Sequence, residues 1–562
     1  MTILKKAILA LVVAGSMNSL VAQNAKEAGL EAITEQAVKG QLEFLASDWT
    51  EGRATGTRGA YMAADYIASI FKIYGLEPGG DEAYTNVSRA ERMSGKRPER
   101  YRSFYQSFSL VEHEPGEVQK LSLVKTGKNS RQEISFGYET DFSVNAGDAG
   151  VNIEAPIVFA GYGYKDDEAG YDDFKGIDTE GKILVCLSGY PGHNDTTSAA
   201  FKKIGDKSRW QLYREKRDMI AESGAAAMIE ISLEYDRMDY WADNVPFRYN
   251  SDTYEGDKPR SSFYETSLSN PGEKIGDGMV MVMVSKRAAN TILDKAGIDA
   301  EAFEKEVKES LKPASKEVKG ITMQLESSVK SKVVRVRNVV GVLPGKDTTE
   351  IIVIGGHYDH LGKHDGWSWN GADDNASGTV GVMTIAKAML ASGEKPEKTI
   401  VFCAWTGEEK GLLGSEYFAD HPWNDAEMIL NLNYDMISRD NLDDTLGVKC
   451  SMTYTEAYPV LQELAEQHND EYGLGLDISF RAQEKPRGGS DHTPFANKDV
   501  PIFYFMAGFP PEYHSTNDHV EKVNFDKMTK IIKLGYLNVF ELAKGKVQSA
   551  VGSGQFAVGS GQ

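Results

Sequence analysis

The feature that most constrains the fold is a series of apolar runs that few polar residues interrupt. After Val333 these runs read "VRNVVGVLPG", "EIIVIGGH", "KTIVFCAWTGEE", "AEMILNLNYDM" and "PIFYFMAG". Strands that are buried on both faces have this pattern, because both sets of alternating side chains must be apolar. A helical stretch, "GTVGVMTIAKAMLASG", lies among them and ends at a glycine. The alternation of strand, loop and helix predicts an α/β fold in which helices flank a sheet.

The chain is long enough for more than one domain. Its 562 residues exceed what one simple core usually holds. Residues 31–78 have helical spacing, whereas 140–320 contains short apolar runs between Gly- and Asp-rich turns. This change of pattern predicts a β-rich domain inserted into the first domain, which would then comprise 23–139 and 321–547. Residues 548–562 contain a repeated VGSGQ and are predicted to form a flexible tail.

The first 22 residues have the layout of a cleaved secretory signal. Lys5 and Lys6 precede a short apolar run, and small residues follow before Gln23. Gly15 and Ser16 interrupt the run, which is shorter than the ~20 residues that a membrane span needs. We therefore expect an exported protein, periplasmic or secreted, with no membrane anchor in the mature chain. The net charge of −21 argues against a nucleic-acid partner, because phosphates would be repelled.

Side chains of the types that bind metals follow the predicted strands. An aspartate at a helix start is often only a cap, and a Glu–Glu pair often lies in a solvated turn. Here, however, the same chemistry recurs at several strand exits, and the carboxyl ends of strands in an open α/β sheet form one crevice. The residues concerned are His357, Asp373, Asp374, Glu408, Glu409, Asp435 and His514.

This set of side chains predicts a metal centre. Carboxylates crowded into one crevice repel each other unless a cation neutralises them. Histidines and carboxylates without cysteine suit a catalytic zinc site rather than a closed structural one. Two histidines with several carboxylates indicate two zinc ions that share one bridging carboxylate.

Six motifs, in order, closely resemble the dizinc aminopeptidase family, which includes secreted bacterial leucyl aminopeptidases and, more distantly, glutamate carboxypeptidase. They are "GGHYDHLG", "GADDNASGT", "WTGEEKGLLGS", "NLNYDM", "GGSDHTPF" and "YHSTNDH". The resemblance covers about 31–78 and 333–545, and it implies a helix-flanked mixed sheet of the zinc-exopeptidase type. The inserted segment, with "APIVFAGYGY" and "GKILVCLSG", resembles the protease-associated domain.

The resemblance also implies the metal ligands. His357 and Asp435 would bind one zinc, Glu409 and His514 would bind the other, and Asp374 would bridge the two. The peptide bond after Asp374 is expected to be cis.

Further roles follow from the same resemblance. Glu408 would be the general base, and Tyr513 would steady the oxyanion. Asp359 would orient His357, because a ligating imidazole needs its other N–H fixed. Asp491 and His492 would shape the site without binding metal. The resemblance gives no role to three further histidines, His360, His364 and His519.

The implied function is a zinc-dependent aminopeptidase that hydrolyses N-terminal residues from peptides with a free N-terminus. A metal-activated water would attack the peptide carbonyl, with Glu408 as the general base. Three alternatives remain at this point: a carboxypeptidase, for which Arg439, Arg481 and Arg487 are candidate carboxylate-binding cations; a single-zinc glutaminyl cyclase; and a catalytically inactive binding protein. The inserted domain would either shape access to the crevice or select peptide length.

Overall fold

The computed structural model describes residues 24–127, 130–138, 140–145, 147–207, 209–233, 266–275, 280–364 and 366–545. The predicted signal segment and the predicted tail lie outside these described residues. The chain divides into two compact units: unit 1 comprises 1–109 and 334–562, and unit 2 comprises 110–333. No helix in the described part of the chain has the length and apolar character of a membrane span.

Strands and helices are numbered in chain order. The strands are β1 (Glu77–Pro78), β2 (Glu82–Tyr84), β3 (Arg100–Arg102), β4 (Tyr105–Gly127), β5 (Ser130–Phe136), β6 (Phe142–Asn145), β7 (Val151–Phe159), β8 (Lys165–Asp166), β9 (Tyr171–Asp172), β10 (Ile183–Leu187), β11 (Ala227–Ile231), β12 (Ser267–Ser269), β13 (Val280–Val284), β14 (Lys316–Leu343), β15 (Asp347–His357), β16 (Gly362–His364), β17 (Trp367–Trp369), β18 (Lys398–Trp405), β19 (Glu427–Tyr434), β20 (Lys449–Thr455), β21 (Asp477–Gln483) and β22 (Ile502–Met506). The α-helices are α1 (Glu35–Leu45), α2 (Arg58–Tyr74), α3 (Arg89–Met93), α4 (Ala199–Ile204), α5 (Arg209–Glu222), α6 (Lys286–Ala296), α7 (Ala300–Ser310), α8 (Gly378–Ala391), α9 (Leu413–Asp420), α10 (Val460–Glu471), α11 (His492–Asn497) and α12 (Phe525–Leu542).

Unit 1 is built on a mixed sheet with the strand order β21-β20-β22-β19-β15-β18-β14. Its centre is parallel, since β15 pairs in parallel with β18 and β19, and β19 pairs in parallel with β22. The pairs β14–β18 and β20–β22 are antiparallel, and the outer pair β20–β21 is parallel. The parallel central strands have their carboxyl ends at the same edge of the sheet.

Both faces of this sheet are covered. On β18, Ile400, Phe402 and Ala404 pack into one apolar core, while Val401 and Cys403 pack into a second core on the opposite face. The first core contains residues of the long helices α2, α8 and α12, and the second contains residues of α9 and α11. The predicted α/β fold class, with helices on both faces of a mixed sheet, is confirmed.

Unit 2 has its own apolar core, which lies around a series of paired strands. Strands β7, β10, β11 and β13 are successively parallel, β6 pairs antiparallel with β13, and the first part of β14 pairs antiparallel with β7. Helices α4 to α7 accompany these strands. Helix α6 buries Ile292 and Leu293, and helix α7 buries Phe303 and Val307.

The boundaries of unit 2 differ from the predicted insertion of 140–320. The compact unit begins at Leu110 and ends at Val333. Both boundaries fall inside the residue ranges of long strands, β4 and β14, so no turn marks either boundary in the sequence. The assignment of this unit as a protease-associated domain stays a prediction.

Candidate metal centre

The centre lies at the carboxyl edge of the parallel strands in unit 1. His357 is the last residue of β15, Asp435 directly follows β19, and Glu408 follows β18 after a short turn. Because these three strands are parallel neighbours, their exits lie side by side. His514 reaches the same place from the loop after β22, and its backbone has a φ of 55°, a conformation that non-glycine residues seldom adopt.

Distances between side-chain atoms show how closely these residues meet. His357 Nε2 lies 3.4 Å from Asp435 Oδ1 and 3.5 Å from Asp374 Oδ1. His514 Nε2 lies 3.0 Å from Asp374 Oδ2 and 3.2 Å from Glu409 Oε2. The two oxygens of Asp374 therefore face different histidines, which is the placement that a bridging carboxylate requires.

The two neighbouring glutamates have different environments. Glu408 Oε2 lies 3.7 Å from His357 Nε2, and burial raises the pKa of Glu408 well above its usual value, helped by the nearby carboxylates of Asp435 and Asp491 and opposed by His357. Burial alone would also raise the pKa of Glu409. His514 and a hydrogen bond from His360 instead hold that pKa well below its usual value.

Asp374 is held by its backbone. It lies in a single π-helical turn, Ala372–Ser377, that leads directly into α8. The carboxylate of Asp518 accepts hydrogen bonds from the backbone N–H groups of Asp373 and Asp374, at 3.0 Å and 3.1 Å. The peptide bond between Asp374 and Asn375 is cis, which confirms the prediction for it.

Asn375 and Thr379 tie this turn to the neighbouring strands. The Asn375 side chain donates to the Tyr434 carbonyl at 2.9 Å and accepts from the Met436 N–H at 3.2 Å, on either side of Asp435. The Thr379 hydroxyl donates to the backbone carbonyl of His357 at 2.6 Å. These bonds fix the relative positions of Asp374, Asp435 and His357, which come from separate parts of the chain.

Asp359 has a different partner from the one the resemblance implies. His357 Nδ1 contacts the backbone carbonyl of Asp359 at 3.1 Å, whereas the Asp359 carboxylate lies farther away, at 3.8 Å. That carboxylate accepts instead from the Thr55 hydroxyl at 2.8 Å and from the backbone N–H of Glu408 at 3.2 Å. The backbone carbonyl of Asp359 thus orients His357, and the carboxylate of Asp359 orients the Glu408 backbone.

Arg53 is a residue of the site that the sequence motifs do not indicate, because it lies in a glycine-rich turn outside all of them. Its guanidinium is fully buried and donates to the backbone carbonyls of Tyr358, Asn370 and Gly371 at 2.7, 2.6 and 2.9 Å. A fourth bond reaches the Leu45 carbonyl at 2.5 Å. Burial lowers the pKa of Arg53 to about 10, and nearby carboxylates such as Asp518 and Asp374 oppose that shift. Arg53 therefore joins the two loops that carry the centre and places positive charge behind its carboxylates.

The remaining predicted residues lie around this cluster. The Tyr513 ring stacks on His514 with 3.7 Å between centroids, and burial holds the Tyr513 pKa well above its usual value. Asp491 is buried, and that burial raises its pKa to about 7. His492 stacks on Tyr504 at 4.5 Å.

Of the three histidines that had no assigned role, His360 belongs to the cluster itself. Its Nδ1 lies 2.6 Å from Glu409 Oε1. His364 lies in the β16–β17 hairpin, and His519 contacts the Asn370 side chain at 3.3 Å. The signal that could have revealed His360 was its spacing, three residues after His357 on the same strand exit.

The residues present fit zinc. Bonds of 2.0–2.2 Å around a tetrahedral ion place neighbouring donor atoms about 3.3–3.6 Å apart, close to the distances between the histidine nitrogens and carboxylate oxygens given above. Asp435 Oδ1 is buried and makes no hydrogen bond to any described residue. Two groups within the described chain could each hold an ion: His357, Glu408 and Asp435, and His360, Asp374 and Glu409.

Comparison with known proteins agrees with this architecture. The family model described as peptidase family M28 matches residues 338–536, which contain the whole cluster. The match spans about a third of the chain. The chain aligns with "Leucine aminopeptidase 2" of Arthroderma otae at 29% identity over 214 residues, which is 33% of this chain and 41% of that protein. The chain therefore spans about two fifths of that relative's length.

Two solved structures share the fold over most of the chain. An aminopeptidase from Aneurinibacillus sp. strain AM-1 is similar with a TM-score of 0.56 and 18% identity, covering 93% of this chain and 97% of that one. A zinc aminopeptidase from Bacillus subtilis is similar with a TM-score of 0.51 and 18% identity, covering 92% and 97%. At such low identity these likenesses establish the fold alone.

Proposed function

We propose that this protein is a zinc-dependent aminopeptidase that removes N-terminal residues from peptides. The observation that carries the proposal is the cluster around Asp374, where His357 and His514 face opposite oxygens of one buried carboxylate. The match of residues 338–536 to the model of peptidase family M28 supports a peptidase, and the similar leucine aminopeptidase and zinc aminopeptidase support aminopeptidase activity with zinc. Export from the cell, expected from the first 22 residues, is part of the same proposal.

Five residues, which we call the candidate ligand set, would hold two zinc ions. His357 and Asp435 would bind one ion, Glu409 and His514 would bind the other, and Asp374 would bridge them. These side chains are mostly buried, and their carboxylates lie close enough to repel each other unless a cation neutralises them. Both properties favour metal binding over solvation by water. Bound zinc would supply Lewis acidity toward a peptide carbonyl and toward water.

Glu408 is proposed as the general base. It stands beside the candidate ligand set, it is nearly buried, and its raised pKa suits a carboxylate that accepts a proton and gives it up again. It would take a proton from the attacking water and deliver it to the departing amine. Tyr513, stacked on His514, keeps its proton because its pKa is raised by burial, so its O–H can donate to the developing oxyanion.

The arginines favour an aminopeptidase over a carboxypeptidase. A carboxypeptidase needs a cation that is available to the terminal carboxylate of the substrate. Arg439 is instead engaged by Glu512 at 2.6 Å, and it lies 3.9 Å from Asp518. Arg481 and Arg487 are exposed, on β21 and in the segment that follows it. The carboxylates of the cluster, by contrast, offer charge and hydrogen bonds to a free N-terminal amine.

Two further alternatives receive less support. A glutaminyl cyclase with a single zinc would not need both histidines of the cluster, yet His357 and His514 both face Asp374. An inactive binding protein would not need Glu408 beside them. Neither alternative accounts for all of these side chains together.

A substrate panel tests the proposal. The zinc-loaded protein is assayed with leucine-, alanine- and glutamine-derived aminoacyl substrates, with their N-acetylated forms, and with a substrate for C-terminal cleavage. Only the substrates with a free amine are expected to be hydrolysed at an appreciable rate. Equal cleavage of the acetylated forms, or faster cleavage from the C-terminus, would refute the aminopeptidase assignment.

A further inference from the structure

His360 is completely buried beside the candidate ligand set, and the resemblance gave it no role. Its Nδ1 lies 2.6 Å from Glu409 Oε1 and 3.8 Å from Asp374 Oδ2. Its ring meets the His514 ring edge-on, with 5.7 Å between centroids. On another side lies Gly371, where a side chain would have its Cβ 2.5 Å from His360 Cδ2. Glu409, His514 and Gly371 thus enclose the imidazole on separate sides.

The short distance to Glu409 is that of a hydrogen bond rather than of two ligands on one ion. A carboxylate oxygen accepts, so Nδ1 must carry the proton and donate it. Neighbouring donor atoms on a tetrahedral zinc lie about 3.3 Å apart or more, and His514 Nε2 lies close to that distance from Glu409 Oε2, at 3.2 Å. The two oxygens of Glu409 therefore have separate partners, His360 on one side and His514 on the other.

We propose that His360 is a positioning residue that fixes the Glu409 carboxylate, so that Oε1 is occupied and Oε2 is presented to the ion held with His514 and Asp374. This inference rests on the proposed zinc function. A glutamate side chain free to rotate loses conformational entropy when it binds a metal, whereas one already held by a charge-assisted hydrogen bond has lost it beforehand. Partners of this kind typically change metal affinity by a factor of about 10–100.

The contacts of His360 also indicate which substitution should keep the hydrogen bond to Glu409. His360 Nε2 is buried and has no hydrogen-bond partner among the described residues, so only Nδ1 acts on Glu409. The amide nitrogen of asparagine occupies nearly the place of Nδ1, while that of glutamine extends to the place of Nε2. Asparagine at this position should therefore keep the hydrogen bond, and glutamine should lose it.

The test measures zinc affinity at each site by competition with a chromophoric chelator, for the full-length protein and for His360→Asn, His360→Gln and His360→Leu. We expect the Leu and Gln variants to lose about 10–100-fold in affinity at one of two sites, and the Asn variant to stay within about threefold of wild type. His468→Leu is the matched control, because His468 is also buried and its Nδ1 bonds a side chain, Asn538 Oδ1 at 2.7 Å, away from the cluster.

Each outcome decides the matter. Wild-type affinity in His360→Leu would overturn the positioning role, and equal losses in the Asn and Leu variants would mean that His360 is itself a ligand. A comparable loss in His468→Leu would reduce the effect to general destabilisation. If the wild-type protein binds two zinc ions and cleaves aminoacyl substrates while the His360 variants bind normally, only this inference fails. If the wild type binds no zinc, the proposed function fails first.

Discussion

At the scale of single residues, two adjacent glutamates of this protein have pKa values that are shifted in opposite directions. Glu408 and Glu409 follow the same strand, yet the pKa of one is raised and that of the other is lowered. The difference arises because His514 and His360 face Glu409, while Glu408 lies among other carboxylates with only His357 opposite. The two residue types alone are equivalent, and the placement of the histidines gives each glutamate the environment that fits the role implied by the resemblance.

The two glutamates should therefore fail in different ways when each is changed to glutamine. Glu408→Gln keeps the shape but cannot accept a proton, so kcat should fall by a factor of about 10²–10⁴, the usual contribution of a general base. Zinc content and KM should change little, because the loss falls on the transition state. Glu409→Gln should lose zinc at one site and regain part of its activity when zinc is added in excess.

Measuring bound zinc and kcat for both variants distinguishes these roles. Glu408 also lies within reach of an ion held by His357 and Asp435, so a ligand role for it is a definite alternative. A Glu408→Gln protein that has lost zinc, and that recovers activity in excess zinc, would show that the two roles are exchanged.

At the scale of elements, the sequence predicted the part of the centre that depends on strand direction. Uninterrupted apolar runs located β15, β18, β19 and β22, and parallel strands of an open sheet place their exits together. The contacts that depend on loop conformation were beyond reach: Asp359 bonds through its main chain, and Arg53 bonds four carbonyls that lie far apart in the chain. No periodicity encodes such contacts, because they are set by the path of irregular backbone.

The turn Ala372–Ser377, which leads into α8, places Asp374. Gly378, the first residue of α8, packs closely against this turn and the neighbouring strand. A Cβ at Gly378 would lie 2.4 Å from both the Tyr434 carbonyl oxygen and Asn375 Oδ1. Gly378→Ala should therefore cost about 1–3 kcal/mol of stability, as overpacking usually does, and should weaken zinc binding. Gly40→Ala is the matched control in helix α1, where no atom lies within 4 Å of an added Cβ.

Urea unfolding and zinc titration of both variants check this prediction. The Gly40 variant should gain up to about 1 kcal/mol, since alanine is the better helix former, and its zinc affinity should not change. Equal stability of the two variants would show that the start of α8 yields more easily than its contacts imply.

At the scale of the whole molecule, every member of the candidate ligand set comes from unit 1, and the sequence anticipated this division only approximately. Apolar runs revealed that the middle of the chain differs from its ends. They could not reveal where unit 2 begins and ends, because both boundaries lie inside the long strands β4 and β14, where no turn marks them.

Zinc should consequently stabilise unit 1, which holds the ligands. This stabilisation can be measured separately from activity. Without a cation, buried carboxylates such as Asp374 and Asp435 repel each other, so removal of zinc by a chelator should lower Tm. Ligand at about 100 times its Kd contributes about 2.7 kcal/mol, which corresponds to a shift of several degrees.

Asp374→Asn removes one of these charges together with the proposed bridge. Scanning calorimetry of this variant should give a metal-free Tm at or above that of the metal-free wild type, and a much smaller rise on adding zinc. An unchanged wild-type Tm in chelator, or a full zinc response in the variant, would contradict a metal centre at this position.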